Sequence, residues 1–169
     1  MIKRILLVLV GVSLFVRVMG PGQDVVGNLQ IDNWQSILVE RGVSDQELFR
    51  LSEIYALVGP DLRDVLLDMH YVESRYDSLA VSFGGDCGIG QINPRWWSGR
   101  NFRDFLVDLD LSLDLSFNDV VFSAEMCVLY SEWILRKLLD KSGGDIRLAL
   151  KYYNGSWDYV DKVLGLRNE

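Results

Sequence analysis

A mainly helical fold is what this chain predicts, on three observations. Ser44-Asp45-Gln46-Glu47 has the form of a capping box, and Leu48, Leu51, Tyr55 and Val58 follow it at helical spacing. Over residues 60–76, Leu62, Leu66, Met69 and Glu73 fall at i, i+4, i+7 and i+11, which draws one stripe along a helix. Residues 119–139 are apolar on nearly every face apart from Glu125, Glu132, Arg136 and Lys137, the pattern of a central buried helix.

The other elements follow from local chemistry. Residues 1–20 combine Lys3, Arg4 and Arg17 with an apolar run over 5–16, the layout of a secretory signal. Arg17 cuts that run short of the roughly twenty apolar residues that a spanning helix needs. Cleavage after Gly20 or Gly22 gives an exported chain; an uncleaved segment acts as an anchor. Residues 21–43 carry no sustained period and read as a linker or N-terminal arm, so the folded domain is expected over 44–169. Gly59-Pro60 ends one helix and opens the next. Turn formers dominate 77–86, which predicts a loop. Residues 107–117 alternate apolar residues with Asp108, Asp110, Ser112, Asp114 and Ser116, and this period of two predicts an extended piece such as one strand of a small hairpin. A calcium loop is a poor match, since the segment lacks the glycine and the closing Glu of such loops. Asp145 caps a helix to Tyr153, Asn154-Gly155 breaks it, and Ser156 caps the last one.

The 169 residues fit one domain, and 49% hydrophobic residues suffice for its core. The net charge of −7 becomes −10 without residues 1–20, whose only charges are Lys3, Arg4 and Arg17. Such a chain is poorly suited to phosphate backbones, so no nucleic-acid partner is expected. In an export compartment Cys87 and Cys127 are oxidisable, and either a bridge or two small buried thiols satisfies the sequence. No Cys/His cluster has metal-ligand spacing, so neither a metal nor a cofactor is expected.

Glu73 is the residue out of place. It ends an apolar stripe in the last helical turn, where burial and the negative end of the helix dipole both oppose its charge. A carboxyl group kept protonated near neutral pH is suited to general acid catalysis. Its bland alternative is a Glu that reaches water or pairs with Arg75 or Arg100.

Glu73-Ser74 is followed by Gly88-Ile89-Gly90-Gln91-Ile92-Asn93-Pro94 and later by Tyr152-Tyr153-Asn154-Gly155. In this order the three blocks resemble the catalytic domain of the soluble lytic transglycosylase family, over roughly residues 48–164. Gly90 stands where the family commonly has Met, and Tyr152 where it has Ala. The resemblance implies a lysozyme-like α+β fold, a helical bundle around a peptidoglycan-binding cleft. It also implies the reaction. Glu73 would protonate the bridging oxygen between N-acetylmuramic acid and N-acetylglucosamine, then accept the C6 hydroxyl proton as a 1,6-anhydro ring closes. Ser74 would help to position the glycan. Gly88 and Gly90 would let it approach the backbone, and Gln91 would offer it a donor and an acceptor. Tyr153 would hydrogen-bond near the acid, with Asn154 beside it.

Trp96, Trp97 and Trp157 are candidates for stacking on sugar rings, and His70 reads as a helix residue rather than a base. The implied setting is periplasmic, on glycan strands, alone or with a secretion, conjugation, pilus or phage system. A lysozyme-like hydrolase, with Asp77 or Asp86 placing a water, is the enzymatic alternative. An inactive glycan-binding subunit is the other.

Overall fold

The computed structural model describes residues 33–166. Residues 1–20, with the expected signal or anchor, and most of the expected linker lie outside them. The described chain is mainly helical. Its helices are α1 (Asn33–Glu40), α2 (Asp45–Ala56), α3 (Arg63–Ser74), α4 (Pro94–Trp97), α5 (Arg100–Asp108), α6 (Phe117–Val121), α7 (Ala124–Lys141), α8 (Ile146–Asn154) and α9 (Trp157–Gly165). Among these residues no helix is long and apolar enough to cross a membrane.

Most starts follow the local rules. The hydroxyls of Ser44 and Ser156 and the carboxylate of Asp145 accept from the backbone N–H groups of Glu47, Asp158 and Leu148. Gly155, at φ 91°, ends α8 in the left-handed conformation that glycine adopts without a Cβ clash.

Around α7 the core assembles: α2, α3, α6 and α8 pack on it, and α9 joins α3 to α8. Ile134, Leu135 and Val128 of α7 are fully buried, as are Leu66 and Met69 of α3. Phe102, Phe105 and Phe117 gather on Tyr130, with Phe105 centred 4.3 Å from its ring.

Three expectations need correction. The linker assigned to 21–43 is helical from Asn33, and Trp34 and Leu38 are buried, with the Arg63 guanidinium 5.0 Å over the Trp34 ring. The apolar stretch 119–139 is two helices, because Ser123 takes an extended conformation and its hydroxyl caps α7 by accepting from Met126. A capping box of Ser116 and Asp119 already starts α6. Finally, residues 107–117 contain no strand: α5 runs to Asp108, Asp110 turns the chain at φ 53°, and the alternation marks a loop whose Leu111 and Leu115 dip toward the core. Extended pairing occurs instead at isolated antiparallel bridges of Cys87 with Val81 and with Ile92.

Candidate functional site

Glu73 sits in the last turn of α3, which ends unusually. Arg75 and Tyr76 follow in succession at φ 54° and 67°, the left-handed region that side chains disfavour. Tertiary contacts hold them there. The Tyr76 ring is buried edge-on against Tyr55, and its hydroxyl donates to the Leu67 carbonyl at 3.2 Å and meets Arg41 Nη1 at 2.7 Å. Gln91 is a third non-glycine residue of this kind, at φ 46°. Strain gathered in two adjoining segments persists only where the surroundings over-determine it, and such places are enriched in functional sites.

Those segments are tied together. Ser74 Oγ bonds the His70 carbonyl at 3.3 Å, one turn back, and the Ile89 carbonyl at 2.8 Å. The Tyr153 hydroxyl donates to the Gly90 carbonyl at 2.8 Å. Helix α3, the turn at 88–91 and helix α8 thus share one polar seam, and α9 closes it from the side.

Within this seam burial is the largest influence on Glu73 and pushes its carboxyl up to about 7. Interactions with the Tyr159 hydroxyl and the Asn154 side chain oppose the rise, whereas the charge of Asp86 adds to it. No ion pair to Glu73 forms among the described residues, so the bland pairing with Arg75 or Arg100 is not seen. Burial also raises the phenols of Tyr153 and Tyr159 well above the ordinary value, so both remain protonated donors.

His70 is a buried helix residue. Its Nδ1 lies 2.7 Å from the Tyr55 hydroxyl, and burial lowers its pKa to about 3, which keeps it neutral.

Several expected roles change. Gly88 and Gly90 are buried and face the protein rather than an open cleft floor. A Cβ on Gly88 would overlap the Val121 carbonyl oxygen, and its φ of 73° disfavours any side chain. On Gly90 a Cβ would overlap Ser131 Oγ and stand 3.2 Å from the Tyr153 hydroxyl. These glycines let the turn pack on α6, α7 and α8. Gln91 Nε2 donates to the carbonyls of Ala80 and Gly88 at 3.1 and 2.9 Å, so its amide braces the loop. Cys87 and Cys127 are free thiols: Cys87 Sγ meets the Gly85 carbonyl at 3.2 Å, and Cys127 is buried in α7. Of the two alternatives open for these cysteines, the structure holds the thiols free.

Glu73, Ser74, Gly88, Gly90, Gln91 and Tyr153 are nevertheless brought together, and Asn154 joins them at the rim. Trp97 is half-buried in α4, where its carbonyl accepts from Tyr130. Trp96 and Trp157 are exposed. Phe83 is fully exposed in the 77–86 loop. Tyr159 was missed as a site residue although its helix was anticipated.

Asp86 is close enough to act on Glu73, but both of its oxygens are engaged, one by Asn93 Nδ2 and one by the Ser82 hydroxyl at 2.9 Å. Comparison with protein-family models, curated proteins and solved structures found no match for this chain.

Proposed function

We propose that the protein is an exported peptidoglycan lytic transglycosylase of lysozyme-like fold, acting on the bond between N-acetylmuramic acid and N-acetylglucosamine. The observation that carries this reading is Glu73: a carboxyl raised to about 7, without a cation, in a strained and tightly braced helix end. A group of that pKa is half protonated at neutral pH, so one residue can give a proton and take one back. It protonates the leaving oxygen, the substrate's N-acetyl group stabilises the cation at C1, and the carboxylate then accepts the C6 hydroxyl proton as the C6 oxygen bonds to C1. No water is consumed. Each Asp86 oxygen accepts one hydrogen bond and keeps a lone pair, so the choice of lyase over hydrolase rests on the chemistry of a single carboxyl that both gives and takes the proton.

The field of Asp86 on Glu73 is the one observation that favours the hydrolytic reading, in which two carboxylates share the work. Mass spectrometry of fragments released from purified sacculi separates the two. The lyase leaves 1,6-anhydromuramic ends, one water lighter than hydrolytic products. Reducing muramic ends as the main product of a fresh digest would overturn the lyase, and no released fragment at all would overturn both.

A further inference from the structure

A cavity of about 410 Å³ opens beside the C-terminus of α3, lined by Arg41, Ser44, Glu47, Tyr71, Arg75 and Ser78, with Asp77 at its edge. It is not the Glu73 site. At about 100° per residue, Tyr71 and Glu73 lie some 200° apart around α3, so the cavity faces the other way. Its central surface is the Tyr71 ring, with the Arg41 guanidinium 4.8 Å and the Arg75 guanidinium 5.9 Å from the ring centre.

The two arginines differ. Arg41 is committed: it pairs with buried Asp68 and donates to the Leu67 carbonyl at 3.0 Å. Arg75 has no ion pair among the described residues, and its side chain reaches water. Opposite it, Glu47 has only Arg50 at 3.9 Å, between two solvent-exposed side chains. The wall therefore offers an available cation, available acids, two hydroxyls and a flat ring.

That set selects a ligand class. A polyanion is disfavoured, because Asp68 already balances Arg41, and Glu47 and Asp77 offset Arg75. An apolar ligand would bury the hydroxyls and charges without partners, at a cost of several kcal/mol. A short peptide bearing both carboxylate and ammonium groups satisfies both signs, and its backbone can lie on the tyrosine face. We propose that this cavity binds the zwitterionic peptide carried by the muramyl residue, an inference that rests on the reading of Glu73 as acting on peptidoglycan. Three to four extended residues span about 10–14 Å, comparable with the helix's own diameter of about 10–12 Å. The outer residues of a peptide leaving a sugar at Glu73, those that carry the ammonium and the terminal carboxylate, can therefore reach past the helix end to the cavity.

The test is binding rather than turnover. The full chain is titrated with a synthetic N-acetylated tetrapeptide, Ala-γGlu-Lys-Ala with free carboxylates, by calorimetry and by amide NMR at low salt. Saturable binding with a Kd below about 1 mM, with shifts centred on residues 71–79, is expected. Arg75→Gln, or amidation of the peptide carboxylates, should weaken it about tenfold or more. Glu73→Gln should leave it intact. No saturation at millimolar peptide, or binding indifferent to both Arg75→Gln and amidation, overturns the site. Tetrapeptide binding by a protein that releases no muropeptides supports the cavity while rejecting the reaction assigned to Glu73.

Discussion

Beyond its first turn helix α3 carries two carboxyl groups, and they are treated in opposite ways. Asp68 is almost completely buried and has its cation, Arg41, which is braced in turn by the Tyr76 hydroxyl and the Leu67 carbonyl. Glu73, little more than a turn further on, is partly buried with no ion pair among the described residues, beside tyrosine hydroxyls that remain neutral. Charge balance makes Asp68 a structural residue, fixing α3 to the loop after α1. Its lack leaves the carboxyl of Glu73 raised to about 7. Both groups sit on one helix, and the cation beside one and not the other separates them as much as their degree of burial.

The sharpest way to break the contrast is to neutralise each acid in turn. Glu73→Gln should reduce release of sacculus fragments by at least 10²-fold, the scale of a lost proton transfer, while far-UV dichroism is unchanged. Activity within tenfold of the parent would sink the assignment. Asp68→Asn should act on stability instead, costing about 3–5 kcal/mol in urea unfolding, since it leaves the buried Arg41 without its counter-charge. A loss below 1 kcal/mol would show that Arg41 finds water or another acid.

The same contrast shows what was legible in the sequence. Helix starts at Ser44, Asp145 and Ser156 were readable because a cap is a local bond between a side chain and a backbone two or three residues away. The stripe of Leu62, Leu66, Met69 and Glu73 was readable because periodicity is local too, and it correctly turned Glu73 inward. The break at Ser123 was hidden, since both halves are apolar and only a serine marks the join. Helix α1 left a trace in Trp34, Ile37 and Leu38 at i, i+3 and i+4, too short to outweigh its polar neighbours. Gly88 and Gly90 signalled close approach, but sequence does not say to what, and the answers were Val121 and Ser131. Tyr159 and Asp86 reach Glu73 only through tertiary packing. The left-handed turn at Arg75-Tyr76 carries no glycine to announce it.

Acidity should separate the groups further. Glu73 binds its proton more tightly in the fold than its ordinary value of 4.5, so its stabilising effect is complete below about pH 4.5 and is lost as pH rises through about 7. That difference corresponds to about 3 kcal/mol. His70 behaves oppositely: its depressed value means that its contribution is present above 6.5 and fades as pH falls toward 3. Between pH 4.5 and 6.5 the two slopes oppose and nearly cancel, so urea midpoints measured from pH 3 to 9 should stay level there and fall mainly below about 4.5. Glu73→Gln removes one slope, so its stability should rise from pH 4.5 to 6.5 and exceed the parent's at pH 8, and a variant less stable there would contradict the uncompensated burial of Glu73.

The smallest expected effect concerns Tyr159, the hydroxyl that distinguishes the surroundings of Glu73 from those of Asp68 without supplying charge. That hydroxyl is buried, closes no hydrogen bond of normal geometry, and interacts with Glu73 in the sense that favours the carboxylate. Tyr159→Phe keeps the ring in the core beside Val160 and Val163 and removes only the oxygen, so stability should change by less than about 1 kcal/mol, with no buried partner left unsatisfied. The acid should feel it. Without the hydroxyl the carboxylate loses a favourable neighbour, and the alkaline limb of the activity profile should move to higher pH by less than one unit, with the maximal rate at low pH nearly kept. A profile recorded with soluble glycan fragments reads this directly. A limb displaced to lower pH would mean that the hydroxyl favours the protonated acid, so that Glu73 is held neutral by donating its own proton to the phenol oxygen as well as by burial.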